Sequence, residues 1–228
     1  MKSEIRQKIA KGAVRVGIFY IILAVVLLGL SGHWDWVMGW VFMGVLVANY
    51  IINLTIVDPE LMAERSGVKE GAKKYDIALA LIMSGLGTVV VILISALDKR
   101  FAWSPGVSVG VLIAGLALVV IGCIFVTWAM VSNKFFGPVV RIQTERGHSV
   151  ASAGPYKFIR HPGYLGAILS FIGIPLMLGT LWALVPALLV LIDIIVRTAL
   201  EDGVLRRELA GYTEYATRVK YRLIPGIW

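Results

Sequence analysis

The stretch Val107–Val131 reads VSVGVLIAGLALVVIGCIFVTWAMV and contains no charged side chain. A helix needs about 20 apolar residues to cross a bilayer, so this stretch predicts a transmembrane helix. Five further apolar stretches accompany it, and together they predict an all-α, polytopic membrane protein with about six transmembrane helices. The other five are Val16–Leu30, Trp36–Val57, Ile77–Leu97, Tyr164–Leu178 and Leu181–Val196.

Two features of the sequence predict how these helices contact one another. The last two stretches are separated only by Gly179 and Thr180. One helix of their combined length would exceed the bilayer thickness, so we predict a helical hairpin that turns at these two residues. Gly106, Gly110 and Ala114 follow one another at four-residue spacing, and such small residues predict close packing of the fourth helix against a neighbour.

Composition and charge agree with a membrane protein. The 228 residues are 58% hydrophobic and only 16% charged, whereas soluble domains are about 45–50% apolar and about 25% charged. Of the 22 lysines and arginines, all except Lys99 and Arg100 fall in segments on one side of the predicted helices. The positive-inside rule therefore predicts an integral, multi-pass protein with both termini in the cytoplasm. The net charge of +8 is explained by this orientation and by anionic membrane lipids, and nucleic acid is not expected as a partner.

Metal and thiol chemistry find no support in the sequence. Cys123 is the only cysteine and lies in an apolar stretch, so it forms no internal disulfide. The three histidines, His33, His148 and His161, do not have the spacing of metal ligands. We therefore predict no metal site.

Polar residues of the kinds that take part in binding or catalysis are concentrated in the last two segments of the predicted cytoplasmic side. Asp193, Arg197 and Glu201 are four residues apart and lie on one helix face. A chain of ion pairs closing the helix end and a functional site both explain this pattern. His161 precedes Pro162, which is a common first residue of a helix whose free amide groups can bind an anion. We accordingly divide the chain into a four-helix membrane region, 1–132, and a candidate catalytic region, 133–228.

Several ordered motifs in the last hundred residues resemble one family. They are Gly154-Pro-Tyr156, the run Arg160-His-Pro-Gly-Tyr-Leu-Gly166, Arg197-xxx-Glu201-Asp202, Tyr212-xx-Tyr215-xx-Arg218 and Arg222-Leu-Ile-Pro225. In this order they resemble the isoprenylcysteine carboxyl methyltransferase family. The resemblance covers 133–228, while the earlier stretches are similar only in being apolar.

The resemblance implies an integral membrane enzyme that uses S-adenosylmethionine. Members methylate the carboxylate of a C-terminal prenylated cysteine, and distant relatives methylate phospholipid amines. The cofactor would enter from the cytosol, and the lipophilic acceptor, a small molecule or a prenylated peptide, from within the bilayer. The motif positions imply a cytosolic cofactor site at the C-terminal end of the chain, with Arg197 facing the acceptor. The implied cofactor residues are Gln143, His148, Ser149, Val150, Ala151, Tyr156, His161, Pro162, Gly163, Tyr164 and Glu201.

Three alternatives remain open at this point, one of which is a catalytically silent membrane scaffold. A phospholipid or amine N-methyltransferase would need a base such as Asp202 or Glu208 to remove a proton from its acceptor. Sterol reductases that use NADPH are also similar around the Arg-His-Pro-x-Tyr motif. The Arg197-xxx-Glu201-Asp202 element resembles the methyltransferases better. The chain departs from animal members of the family, which have eight spans where six are predicted here.

Overall fold

The computed structural model describes residues 2–65, 67 and 70–228 of the chain. Within these ranges the regular secondary structure is helical and contains no β-strand. Short π-helical turns extend α1 at Val25–Gly29 and join α4 to α5 at Ile82–Gly87. The helices are α1 (Lys2–Ala24), α2 (Val37–Ile56), α3 (Pro59–Glu64), α4 (Lys74–Leu81), α5 (Thr88–Phe101), α6 (Val109–Ser132), α7 (Pro162–Leu178), α8 (Leu184–Glu208) and α9 (Tyr212–Arg218).

Six apolar helical segments correspond to the six predicted stretches. Five of them are long and apolar enough to cross a membrane, namely Ser3–Gly29, Val37–Ile56, Lys74–Phe101, Val109–Ser132 and Leu181–Glu208. The remaining one, α7, has 17 residues and is shorter than a typical span. The helices that begin and end the bundle are longer than predicted, because polar turns at Lys2–Arg15 and Arg197–Glu208 continue them beyond the apolar stretches.

The outer surfaces of the long helices are apolar. Ile21, Ile113 and Leu189 have 65%, 60% and 63% of their surface exposed. Many large apolar side chains with similar exposure would be unfavourable in water, whereas lipid tails solvate them. These surfaces define the chain as an integral membrane protein.

The predicted hairpin between the last two apolar helices is confirmed. Gly179 ends α7 with a positive φ of 69°, which glycine adopts without steric strain. The amide of Thr180 donates a hydrogen bond to the carbonyl of Pro175 at 3.0 Å. A single turn at Leu181–Ala183 then leads directly into α8.

The closest helix pair is α6 with α7, and two pairs of glycines allow their approach. A Cβ atom on Gly122 would lie 2.5 Å from the carbonyl oxygen of Gly166, and one on Gly173 would lie 2.7 Å from that of Gly115. The two pairs are two helical turns apart, as expected for antiparallel helices in backbone contact. Small residues therefore bring these helices together, as they do in other membrane bundles.

The predicted stripe at Gly106, Gly110 and Ala114 is wrong as a packing face. All three residues are exposed, and a Cβ atom on Gly106 would meet no atom within 4 Å. Gly106 precedes α6, which begins at Val109. The helix contacts α7 through Gly115 and Gly122, which lie on a different face and further along the chain. These glycines are seven residues apart, so a search for small residues at four-residue spacing does not detect them.

We predict that Gly122→Val destabilises the detergent-solubilised protein by about 1–3 kcal/mol or more, because its side chain would overlap the α7 backbone. The measurement is the thermal unfolding midpoint. Gly110→Val on the same helix is the control, because a Cβ there would meet only Ser108 Oγ, at 3.7 Å. Equal midpoints for the two variants would contradict the proposed helix contact.

Candidate functional site

A cavity of about 220 Å³ lies where α6 ends, α7 begins and α8 approaches its C-terminus. Its walls come from α4–α5, the long connection between α6 and α7, and the segment around α9. The connection crosses the cavity as an extended chain with two short helical turns, Thr144–Arg146 and Gly154–Lys157. The cavity therefore collects residues from distant parts of the sequence at one end of the helical bundle.

Ten of the twelve residues predicted for the site line this single cavity. Arg197 and Glu201 face it from α8, and the strip from His148 to Ala151 faces it from the connection. The remaining residues enter from the turn before α7 and from its first helical turn. They are Tyr156, His161, Gly163 and Tyr164.

Gln143 and Pro162 are the two predicted residues that do not line the cavity. Gln143 is buried, and its side-chain amide donates to the Phe135 carbonyl at 2.9 Å. Its backbone amide donates to Nδ1 of His148 at 3.2 Å, and its Oε1 accepts from Arg146. Gln143 therefore stabilises the connection between α6 and α7 through hydrogen bonds without lining the cavity. Pro162 is buried as the first residue of α7.

Arg197 forms its ion pair with Asp76 of α4, a residue that sequence reasoning missed. Nε and Nη2 of Arg197 donate to the two carboxylate oxygens at 2.6 and 2.9 Å, and Nη2 also donates to the Pro138 carbonyl at 2.6 Å. Asp76 is fully buried and accepts from the Val140 amide as well. The pair therefore joins α8, α4 and the connection, and its arginine lines the cavity.

The chain of ion pairs along α8, one of the two explanations that the sequence left open, is not formed among the described residues. Within the described part of the chain, neither Asp193 nor Glu201 pairs with Arg197, because Asp76 occupies its guanidinium. Glu201 instead accepts a hydrogen bond of 2.5 Å from the Tyr164 hydroxyl. Asp193 is buried, and its Oδ2 has no hydrogen-bond partner among the described residues.

Asp202 connects the end of α8 to the C-terminal segment. It is completely buried, and Arg160 donates to both of its oxygens at 2.7 and 3.1 Å. Arg206 and Arg222 each donate to Oδ2 at 3.1 Å, and the Tyr212 hydroxyl donates to Oδ1 at 3.0 Å. So many donors hold the carboxylate ionised and leave it no role as a base toward a molecule in the cavity.

Arg160 also fixes the polypeptide beyond α9. Its Nη1 donates to the carbonyls of Val219 and Lys220 at 2.8 and 2.7 Å. Backbone hydrogen bonds from Arg160 to Tyr221 and from His161 to Arg222 continue the contact. The Arg-His-Pro motif therefore holds the C-terminal segment against the start of α7.

Buried tyrosines form part of the cavity wall. Tyr212 and Tyr215 are buried, their ring centroids lie 5.5 Å apart, and the Tyr215 hydroxyl donates to the Tyr156 carbonyl at 2.8 Å. Burial raises the pKa of all three hydroxyls above the ordinary value, and the Asp202 charge adds to this for Tyr212. The three phenols are therefore neutral at physiological pH and act as hydrogen-bonding and packing groups.

His148 is a neutral side chain in this wall. Burial, together with Arg141 and Arg146, lowers its pKa to about 4. Its ring lies 4.4 Å from that of Phe135, and its Nδ1 accepts the hydrogen bond from Gln143. Protonation of Nδ1 would abolish that hydrogen bond. Among the residues that the structure describes, no group of three histidine, cysteine or acidic side chains is placed to hold a metal.

These features define a class: a helical membrane protein with a polar, aromatic cavity at one end of its apolar helices. Residues 111–210 match the family model described as phospholipid methyltransferase. This match agrees with the resemblance of the motifs to a family of membrane methyltransferases. A methyltransferase family implies a methyl donor.

Three curated relatives are also similar to this chain. Two are named probable protein-S-isoprenylcysteine O-methyltransferase, from Oryza sativa subsp. indica and subsp. japonica, and each is 32% identical over 108 residues, or 46% of this chain. The chain spans 56% of the length of these rice relatives. Protein-S-isoprenylcysteine O-methyltransferase B from Arabidopsis thaliana is 26% identical over 154 residues, covering 65% of this chain and 78% of the relative.

We predict that Asp202→Asn destabilises the protein by about 3–5 kcal/mol, because it leaves the Arg160 guanidinium buried without its anion. Hydrogen exchange should accelerate first in 212–228, the segment that Arg160 holds. Glu208→Gln is the control, since Glu208 forms a partly exposed ion pair with Lys73 and should change stability by less than about 1 kcal/mol. Equal protection of 212–228 in both variants would contradict this role of Asp202.

We predict a second effect from the pKa of His148. Because its folded pKa of about 4 lies below the ordinary value of about 6.5, the unfolded chain binds more protons between these pH values. Stability should therefore fall as the pH decreases through this window. His148→Gln should reduce that fall, measured as the difference in thermal midpoint between pH 7 and pH 5. A variant with the same pH dependence as the wild type would refute the assignment.

Proposed function

We propose that the protein is an S-adenosylmethionine-dependent membrane methyltransferase whose acceptor is the carboxylate of an isoprenylcysteine-like lipid. In this proposal 133–228 is the catalytic region and 1–132 is the membrane region that receives the acceptor. The observation that carries the proposal is the convergence of ten predicted site residues on one cavity at the end of apolar helices. The names of the rice and Arabidopsis relatives support the same substrate class.

The residues around the cavity fit a cationic nucleoside. When bound, S-adenosylmethionine supplies a methyl group on a positively charged sulfur. Glu201 brings a carboxylate into the cavity and can hold ribose hydroxyls or offset that positive charge. Tyr156 and Tyr164 offer aromatic faces, which attract a cation, and the strip from His148 to Ala151 offers a partly apolar wall for the base.

Arg197 is proposed as the residue that orients the acceptor. Its guanidinium lies 5.4 Å from the centre of the Tyr164 ring, next to the cavity. Nε and Nη2 are engaged by Asp76 and Pro138, while Nη1 contacts only the Met83 sulfur, at 3.9 Å, among the described partners. Nη1 therefore keeps donor capacity for an acceptor oxygen, and the Asp76 ion pair holds it in one position.

A carboxylate acceptor suits the groups that are present. It is already ionised at pH 7, so one of its oxygens can form the bond to the methyl carbon while the carbon–sulfur bond breaks, without a base. The protein then contributes alignment and exclusion of water, which can supply about 7–11 kcal/mol. Neutral tyrosines and a neutral His148 around the cavity are consistent with this requirement.

A phospholipid amine is the second candidate, since the matched family model carries that description. An amine acceptor is protonated at pH 7 and must first lose a proton to a base. The two bases considered from the sequence are both occupied, Asp202 by its arginines and Glu208 by Lys73. This observation favours the carboxylate. The methyltransferase comparisons likewise favour transfer of a methyl group over an NADPH-dependent reduction.

The proposed orientation follows from the location of the cavity. It lies at the end of the bundle that carries most lysines and arginines, which the positive-inside rule assigns to the cytoplasm. The methyl donor would then enter from the cytosol and the lipid from the bilayer. Both termini would be cytoplasmic.

We predict that the detergent-solubilised protein binds S-adenosylhomocysteine and that Glu201→Ala weakens binding by about tenfold, equivalent to about 1.4 kcal/mol. The expected loss reflects one charged contact in the cavity. Isothermal calorimetry measures both affinities. Glu208→Ala removes an acid at the end of the same helix, outside the cavity, and should bind as the wild type does.

The absence of binding heat from the wild type at millimolar concentrations would refute the proposed function. Unchanged affinity in Glu201→Ala would refute only the role assigned to that side chain.

A further inference from the structure

A second cavity, of about 310 Å³, lies between α1, α2, α3 and α6. Apolar side chains from three membrane-spanning helices line it, among them Val16, Val126 and Met130. Asn49 and Asn53 add polar groups on α2, and both are tied to Thr127 of α6 by hydrogen bonds. The cavity is thus a largely apolar space within the membrane part of the fold.

The two cavities share a wall. Arg65, which follows α3, and Val126 of α6 line both of them. The Arg65 guanidinium lies 5.0 Å from the centre of the Phe136 ring, and its Nη1 donates to the Phe136 carbonyl at 3.2 Å. A molecule that extends from the apolar cavity into the candidate active site would therefore pass Arg65.

Arg65 differs from the other arginines around the first cavity in its charge balance. Arg141 is paired with Glu64 and Glu145, Arg160 with Asp202, and Arg197 with Asp76. For Arg65, no carboxylate of the described residues lies within ion-pair distance.

The guanidinium nevertheless stays charged. Burial, with a contribution from Arg197, lowers the pKa of Arg65 to about 10, so the side chain is positive at pH 7. Arg65 is half-buried, and a partly desolvated charge without an opposite partner is unfavourable. An anionic group at this position would remove that penalty, because it would bring two hydrogen-bond acceptors to the guanidinium fork.

We infer that Arg65 binds the anionic group of the acceptor and that the second cavity holds its apolar chain. This inference rests on the proposed function and assigns the residue and the cavity that recognise the lipid carboxylate. Arg197, whose charge Asp76 neutralises, then orients the acceptor, whereas Arg65 supplies the charge that selects an anion. In an isoprenylcysteine the apolar prenyl chain lies next to the carboxylate. In the protein the apolar second cavity lies next to the Arg65 cation, so each part of the ligand meets a group of suitable polarity.

The test compares binding of N-acetyl-S-farnesyl-L-cysteine with binding of its uncharged carboxamide, using the full chain in detergent. The wild type should prefer the acid, and Arg65→Ala should weaken acid binding by at least about tenfold while changing carboxamide binding little. Arg65→Lys should retain part of the preference. Arg207→Ala removes an exposed positive charge outside both cavities and should leave the preference unchanged.

Two further measurements separate ligand contact from a structural role. Affinity for S-adenosylhomocysteine should stay within about twofold of the wild-type value in Arg65→Ala, since the cofactor contacts are proposed elsewhere in the cavity. Val16→Trp, which fills the second cavity, should weaken the acid and the carboxamide equally. Equal losses for acid, carboxamide and S-adenosylhomocysteine in Arg65→Ala would overturn the inference, as would an unchanged preference for the acid.

The remaining outcomes distinguish this inference from the proposed function. A wild type that binds S-adenosylhomocysteine but does not prefer the acid would refute the role of Arg65 and leave the methyltransferase proposal standing. A wild type that prefers the acid but does not bind S-adenosylhomocysteine would refute the methyltransferase proposal and leave the anion-binding role of Arg65 standing. Vesicles of dioleoylphosphatidic acid that compete as strongly as the acid would assign Arg65 to a lipid phosphate and overturn the carboxylate.

Discussion

The buried ion pair between Arg197 and Asp76 is the interaction on which the site depends. It joins residues 121 positions apart and connects α8, α4 and the backbone at Pro138 and Val140. Leaving either of these buried charges unpaired would be strongly destabilising, so the pair holds the three segments together. The connection between α6 and α7 consequently covers the cavity instead of extending into the solvent.

The fold was largely readable from the sequence, because hydropathy over about 20 residues reports directly on the membrane. It located the six apolar segments and the turn at Gly179. It failed at Gly106 and Gly110, since a pattern of small residues on one helix does not specify which face meets a partner. The contact is defined by pairs such as Gly122 with Gly166, and each pair involves two helices that are far apart in sequence.

Site residues that belong to sequence motifs could be predicted from the sequence. Site residues that are brought to the cavity only by the fold could not. The family resemblance identified ten of the cavity-lining residues, from His148 to Glu201. Asp76 was not predicted, because it is a single acidic residue at the start of an apolar stretch. Acidic residues are common at the N-terminal ends of helices without any further role. Arg65 was not predicted for a similar reason. The role inferred for it depends on its position between two cavities and on the lack of a described acidic partner, and the adjacent sequence reveals neither.

The central claim is the transfer of a methyl group to a lipid carboxylate. The most direct measurement incubates the protein with S-adenosylmethionine tritiated in its methyl group and with N-acetyl-S-farnesyl-L-cysteine, and then treats the extracted lipid with alkali. The account predicts that the lipid acquires tritium and that alkali releases it as volatile methanol, as a methyl ester requires. Label that stays on the lipid after alkali, or no transfer by protein that is folded, would contradict it.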